Sequence, residues 1–585
     1  MTDNTIKRLY SHITDRRRFQ FKILLVVTVL ASFAEIVSLG SVVPFIAVVT
    51  QPEKIFSYPF ISEFASILGI MVPQDLVGPI ALLFVAAGVF AGLLRIIVLY
   101  ASIRLSNSIG ADLSSEMYRR TLHQPYLVHI SRSSSDIISG ITQKVATATS
   151  VLTAIVTVIT SLILFVSIFV ALLLIDPLIA GAAFGAFGSI YIGISLFAKN
   201  ILSDNGIIVA KQQTNVVRAS QEGLGAIRDV LLEKSQDYYS QSYYYFVQQL
   251  QRALGTNQFI TLAPRYVMEA LALVMIGLFT FSVSDDITLI NTAMPTLGAL
   301  ALGAQRLLPV LQQLYGNFSL VAGSQQSLID VVTLLEQQVL EPVEANSAEP
   351  IIFQKAIKFD QLGFRYSSQD PLVLADLNLQ IPKGSMVGFV GETGSGKSTA
   401  IDLVLGLLGP SEGKLLIDDI EINQSNVASW QSSVAHVPQH IYLADASIAE
   451  NIAFGTPYED IDYEKVCRAG FNAQMSQFVG DLPDGYATIV GERGIKFSGG
   501  QRQRIGIARA LYKEASVLVL DEATSALDSK TESLIINAIC ALEEQLTVIM
   551  IAHRINTLEK CDKIFEFSRV GELRTISYQD LVIES

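Results

Sequence analysis

The chain has little with which to crosslink itself or hold a metal. Only 3 of its 585 residues are cysteine, Cys467, Cys540 and Cys561, all in the second half and at no metal-ligand spacing. A disulfide framework and a cysteine-rich zinc site are thereby excluded. Charge is scarce too: 16% of residues are charged and 50% hydrophobic, with mean hydropathy +0.44. An ordinary soluble protein is less apolar than this. Nor is there an excess of positive charge, because the net charge is −13, and no nucleic-acid partner is expected without a basic surface.

The charge that exists is unevenly placed. Residues 1–340 hold 21 basic and 20 acidic side chains, whereas 341–585 hold 20 and 34. The first part reads as membrane and the second as a cytosolic enzyme, so at least two folding units are expected. Six apolar stretches reach the roughly 20 residues that a helical span needs, near 21–49, 76–100, 147–175, 178–198, 266–283 and 292–314. Lys54 is the only Lys or Arg in the connections between spans 1–2, 3–4 and 5–6, while the N-terminus and the other two connections are basic. The positive-inside bias then puts the N-terminus and the second half in the cytoplasm, as in a multi-pass protein of a plasma (inner) membrane.

A signal peptide fits the start less well. The basic run is followed by an apolar one that continues to about residue 49, too long for such a signal. Cleavage would also leave five spans and put the second half outside the cell. The two cytoplasmic connections, about 45 and 65 residues, are too long for simple loops, so the spans are expected to run on as long helices. The aromatic run Tyr238, Tyr239, Tyr243, Tyr244, Tyr245 and Phe246 reads as a packing seam between them. Phe60, Ile61, Phe64, Ile67, Leu68 and Met71 recur at helical spacing, as in an amphipathic helix in the outer interface.

The polar, acidic stretch 336–350 carries two prolines and reads as a linker, leaving 1–335 as the membrane domain and 351–585 as the second domain. Short apolar runs alternate with helical patterns there, as in an α/β domain on a mainly parallel sheet. The run 386–390 leads directly into Gly391-Glu392-Thr393-Gly394-Ser395-Gly396-Lys397-Ser398 and then Thr399, a P-loop without a mismatch. Such a loop points backbone N–H groups at phosphates, its lysine reaches the β- and γ-phosphates of ATP, and Ser398 is placed to ligate Mg²⁺. The run 517–520 ends at Asp521-Glu522. Asp521 can hold the Mg²⁺ through water, and Glu522 can polarise the attacking water as general base. Between the two, Ser498-Gly499-Gly500-Gln501 opens a helix, which makes a second anion site. Two anion sites so far apart suggest a composite nucleotide site shared by two copies of the chain.

At these motifs the sequence resembles the ATP-binding-cassette superfamily. The resemblance implies that Tyr366 stacks on adenine and that Gln439 senses Mg²⁺. It makes Ser498-Gly499-Gly500-Gln501 the signature motif, with Phe497 where leucine is usual. It places Asp528 in the loop that crosses to the partner subunit, and gives His553 the γ-phosphate contact. The whole layout resembles half-size ABC exporters: an all-α six-helix transmembrane domain followed by an α/β P-loop domain, working as a homodimeric ATP hydrolase. Segments around 123–135 and 225–232 would be its coupling helices. Within the membrane half, ASFAEIVSLGSVVPFI, Pro264-Arg265 with Glu269, and Arg306-Leu307-Leu308-Pro309 resemble PglK-type lipid-linked oligosaccharide flippases.

That resemblance implies ATP-driven flipping of a polyprenyl-pyrophosphate oligosaccharide, an anionic substrate embedded among membrane lipids. An arginine within a span needs a partner or a wet cavity. Arg95, Arg265 and Arg306 therefore have two readings. They form a cationic cavity for a pyrophosphate headgroup. Alternatively Arg265 pairs with Glu269, Arg306 with Glu35, and Arg95 reaches the interface. An exporter of a peptide, another lipid or a drug is the alternative cargo reading, and an ATP-gated channel the alternative class.

Overall fold

The computed structural model describes residues 2–41, 72–175, 177–283, 307–337, 351–524, 526–541, 546–552, 554–568 and 573–584, with positions 45, 48, 49, 53, 56 and 339. The expected outer-interface helix over 60–71 lies outside them, as do Arg306, His553 and most of the 336–350 linker. The chain divides into two compact units, 1–122 with 132–338, and 123–131 with 339–585.

The first unit is helical. Its main helices are α1 (Asp15–Gly40), α2 (Val77–Leu122), α3 (Val145–Ile175), α4 (Pro177–Gly225), α5 (Gln236–Val283) and α6 (Gln325–Leu335). Helices α2, α4 and α5 have 46, 49 and 48 residues. At 1.5 Å per residue each is about 70 Å long, more than twice a hydrocarbon core of about 30 Å. The spans thus continue well past the bilayer, as the long connections imply. Among the described residues four helices are long and apolar enough to cross a membrane, or five if the bent pair Leu307–Gly323 and Gln325–Leu335 counts as one span. The chain is a multi-pass membrane protein. The fifth expected span falls within α5, and the sixth begins outside the described residues.

The extensions are held by ordinary amphipathic packing. Leu105, Ile109, Leu113 and Met117 recur every four residues on α2 and are buried with Val145, Ala148 and Val151 of α3 and Leu328, Val331 and Leu335 of α6. Charged pairs fix the register: Arg17 of α1 reaches Asp112 of α2 at 2.8 Å, and Lys144 reaches Asp330 of α6 at 2.6 Å. At Gly206 a Cβ would lie 2.6 Å from the Gly323 carbonyl oxygen, so only glycine lets these two backbones touch. The aromatic seam needs correction. Tyr239 lies over Gly223, but Tyr238, Tyr244 and Tyr245 are exposed within this unit.

The second unit carries two sheets. One is parallel at its centre and runs β10-β9-β3-β8-β7-β6, comprising Leu573–Ile576, Lys563–Phe567, Met386–Gly391, Thr547–Ile551, Val517–Asp521 and Val434–Val437. Strands β3, β7 and β8 are almost wholly buried, which is why they read as unbroken apolar runs. The other sheet is antiparallel and runs β2-β1-β4-β5, comprising Leu374–Pro382, Ala356–Phe364, Glu412–Ile417 and Ile420–Glu421. Its alternation is local, with Ile357 and Phe359 buried and Lys358 exposed between them. The segment 123–131 belongs to this unit, and its Tyr126 and Leu127 pack against the core that includes β1 and β2. The membrane part and the second domain are therefore not divided at one point of the chain.

Candidate functional site

Strand β3 ends in the P-loop, and helix α7 (Lys397–Val404) starts from it. Gly396 caps α7 with φ +92°, a left-handed backbone that glycine adopts freely, and a Cβ there would strike Leu374. The loop can thus turn tightly enough to present its N–H groups inward. Lys397 lies within it, donating to the carbonyls of Gly391 at 2.7 Å and Glu392 at 2.8 Å. Burial pulls its ammonium below the usual lysine range, while Glu522 and Asp521 pull the other way. Ser395 carries a buried hydroxyl without a protein partner among the described residues. Buried hydroxyls are rarely left so, and a phosphate oxygen in the loop would satisfy it. The residues present therefore fit a nucleotide phosphate chain. Thr393, Gly394 and Ser398 are exposed around the same loop.

The acidic pair stands at the end of β7, two strands across from β3 with β8 between. Glu522 has φ +50°, an uncommon backbone for a non-glycine residue that costs about 1–3 kcal/mol and persists where surroundings impose it. Its Oε2 accepts a 2.6 Å hydrogen bond from the Gln439 amide, 83 residues away in sequence. Sequence spacing alone does not bring these two together. Ser398, Gln439 and Asp521 supply only oxygen donors, the chemistry that suits a hard cation such as Mg²⁺. Tyr366 stands edge-on to Phe364, with ring centroids 5.0 Å apart, and its hydroxyl meets Thr399 Oγ1 at 3.0 Å. That bond ties the expected adenine-stacking ring to the first turn of α7.

The expected signature residues open a capped helix. Ser498 and Gln501 form a reciprocal capping box on helix α8 (Gly499–Tyr512), and Phe497 is buried beside Phe478. A hydrophobic residue is what that position needs, and phenylalanine meets the need. Gln503 accepts from the Ala526 N–H at 3.0 Å, which docks α8 on the loop that holds Asp528. Asp528 caps helix α9 (Ser529–Ala541) by accepting from the Thr531 N–H and hydroxyl at 2.9 and 2.7 Å. Two groups escaped the sequence reading. Glu532, 7% exposed, accepts from Thr524, Thr557 and Arg554 at 2.7, 2.8 and 2.9 Å and so braces the segments on either side of β8. Asp402 of α7 is pushed up to about 6 by burial and by the charge of Asp521.

Asp402 carries a signed prediction. An acid whose folded pKa is raised keeps its proton longer when folded, so stability is lost as pH rises from about 4 to about 6. His436 opposes it. Burial pulls that imidazole down to about 4, which costs stability as pH falls from about 6.5. Asp402→Asn should therefore raise the thermal midpoint above pH 6 and leave it unchanged below about pH 4. Thermal unfolding across pH 4–8 measures this, and parallel curves for the two proteins would contradict it.

The membrane arginines are paired where they are described. Arg95 Nη2 lies 2.7 Å from Glu35 Oε1, and that carboxylate is only 7% exposed. Arg95 therefore does more than reach the interface, whereas the expected Glu35–Arg306 pair falls on a residue outside the described ones. Arg265 Nε lies 2.8 Å from Glu269, four residues along α5, as its spacing allows.

A P-loop strand and helix, an acidic pair two strands away and a capped Ser-Gly-Gly turn together define a nucleotide-binding domain of ATP-binding-cassette type. Residues 374–525 match the ABC transporter family. The chain is 39% identical over 265 residues to the ATP-dependent lipid A-core flippase of Chromohalobacter salexigens, covering 45% of each chain. It is 39% identical over 251 residues to the chloroplastic ABC transporter B family member 29 of Arabidopsis thaliana, covering 43% of this chain and 39% of the relative. The match thus spans less than half the length of these curated relatives. A solved bacterial Atm1-family ABC exporter with ATP bound superposes with a TM-score of 0.76 over 97% of this chain and 96% of its own, at 23% identity. Residues 374–525 thus form an ABC transporter domain, and the chain has the fold of an ABC exporter.

Proposed function

We propose that this protein is an ATP-hydrolysing exporter that flips a lipid, working as a homodimer, and that its cargo is a polyprenyl-pyrophosphate oligosaccharide or polysaccharide precursor. The observation that carries the reading is the Gln439–Glu522 hydrogen bond beside an intact P-loop. Likeness to ATP-dependent lipid A-core flippases supports a lipid cargo. Lys397 exchanges the carbonyls of Gly391 and Glu392 for the β- and γ-phosphates of ATP, and Tyr366 stacks on its base. Ser398, Gln439 and Asp521 would hold Mg²⁺, which when bound neutralises phosphate charge. Glu522, oriented by Gln439, accepts the proton of the attacking water. The Ser498 turn of a second copy closes over the γ-phosphate, and His553 adds a contact there.

In the membrane unit, the guanidiniums of Arg95, Arg265 and Arg306 receive the pyrophosphate while the polyprenyl tail stays in lipid. Arg95 exchanges part of its bond with Glu35 to do so. Arg265 is the better probe, because its Glu269 is exposed and survives without a partner. Arg265→Gln should reduce stimulation of ATP turnover by a polyprenyl-pyrophosphate oligosaccharide about tenfold in apparent affinity, with basal turnover unchanged. Titrating turnover with that lipid, a lipid A core and a hydrophobic peptide tests the cargo. Stimulation by peptide alone would replace the lipid reading.

A further inference from the structure

A second polar cleft lies wholly inside the first unit, on the helix extensions beyond the spans. It encloses about 420 Å³, a size that suits a small ligand. One wall is a single stripe of α4: Lys211, Thr214, Asn215 and Arg218 recur at helical spacing and all line it. Across from them stand Lys144 and Asp330, with Ser133 and Ser135, at the start of the Ser134–Ser139 helix, closing one end.

The charge in this cleft is positive once its own bonds are counted. Both oxygens of Asp330 are engaged, Oδ2 by Lys144 at 2.6 Å and Oδ1 by Gln326 at 2.9 Å. Lys144 is 7% exposed, and its ammonium has three donors for that one bond. Arg218 stands 3.9 Å from Glu222, too long for a hydrogen bond, and Lys211 is exposed. Asp136 is the one other acid on the wall. Arg132, next in sequence to Ser133, keeps Nη1 buried without a partner among the described residues. Two cations with uncommitted donors, a buried ammonium and neutral hydroxyls and amides face one space. That set suits a multivalent anion far better than a metal ion or an apolar ligand.

We propose that this cleft binds a small anion bearing a phosphate or pyrophosphate group, held by Lys144, Lys211 and Arg218. The bound anion adds a tie between the start of the Ser134–Ser139 helix, α4 and α6, beside the Ser139–Thr214 hydroxyl contact at 2.9 Å and the Lys144–Asp330 pair at 2.6 Å. The site is separate from the P-loop and does not rest on the transport reading. The anion is either a soluble phosphate compound or the headgroup of an anionic lipid at the inner surface, and both present the same oxygens.

Inorganic pyrophosphate is the probe. Its binding to the full chain in nanodiscs is measured by calorimetry in a Lys397→Ala background, which silences the P-loop. Saturable binding is expected in phosphatidylcholine nanodiscs, weakened at least about tenfold by Lys211→Ala with Arg218→Ala, exposed positions whose loss does not disturb the core. Lys7→Ala with Arg228→Ala, the control for net charge, should leave it unchanged. Displacement of pyrophosphate in phosphatidylglycerol nanodiscs would assign the site to a lipid headgroup, and undiminished binding there to a soluble anion. Absence of saturable binding in phosphatidylcholine, or equal affinity in the two double variants, overturns the proposal.

Discussion

Glu522→Gln should leave ATP binding close to that of the parent protein and reduce turnover by about 10²–10⁴-fold. The substitution keeps the shape and the bond to Gln439 while removing the group that takes the proton from water. The backbone at this position already holds φ +50°, and glutamine meets the same constraint as glutamate, so folding should not change. Nucleotide affinity by fluorescence titration and phosphate release on the same preparation separate the two effects. A variant that hydrolyses at near-normal rate would move the base to another residue. Loss of binding together with turnover would make Glu522 a structural group of the site.

Trp430→Ala should destabilise the cassette by about 3–5 kcal/mol, the range for emptying a large buried aromatic site. Trp430 is fully buried, stands edge-on to Phe353 at 6.0 Å, and donates from Nε1 to the Val404 carbonyl at 2.6 Å. Val404 ends α7, whose first residue is Lys397. The indole therefore satisfies an end carbonyl of the helix that carries the P-loop. Trp430→Phe keeps most of the volume and should lose only about 1 kcal/mol with the hydrogen bond. Thermal inactivation of ATP turnover in the two variants measures the difference. Equal midpoints for alanine and phenylalanine would show that the packing around Trp430 collapses without cost.

How much of this was readable in the sequence depended on whether the cause was local. The P-loop was legible because strand, glycine turn and lysine are contiguous. The central strands were legible because burial on both faces leaves unbroken apolar runs. The Gln439–Glu522 bond was not, since it depends on β6 and β7 being neighbours. The antiparallel β2-β1-β4-β5 sheet was missed because its strands alternate and carry bulges that blur the period. In the membrane half the long helices were expected, but their rotations were not. A span that is apolar on every side does not say which neighbour a lone Glu35 will face, and the structure pairs it with Arg95. The tyrosine run shows the converse error. Aromatic density alone suggested packing, yet several of these rings are exposed within their unit.

The central claim is that ATP hydrolysis by the cassettes drives a lipid across the membrane. The most direct measurement is flipping of a fluorescent polyprenyl-pyrophosphate oligosaccharide together with ATP turnover in the same proteoliposomes, for the parent protein and Glu522→Gln. The account predicts ATP-dependent flipping by the parent and loss of both activities in the variant. Flipping that persists without hydrolysis, or hydrolysis that moves no lipid of this class, would contradict it.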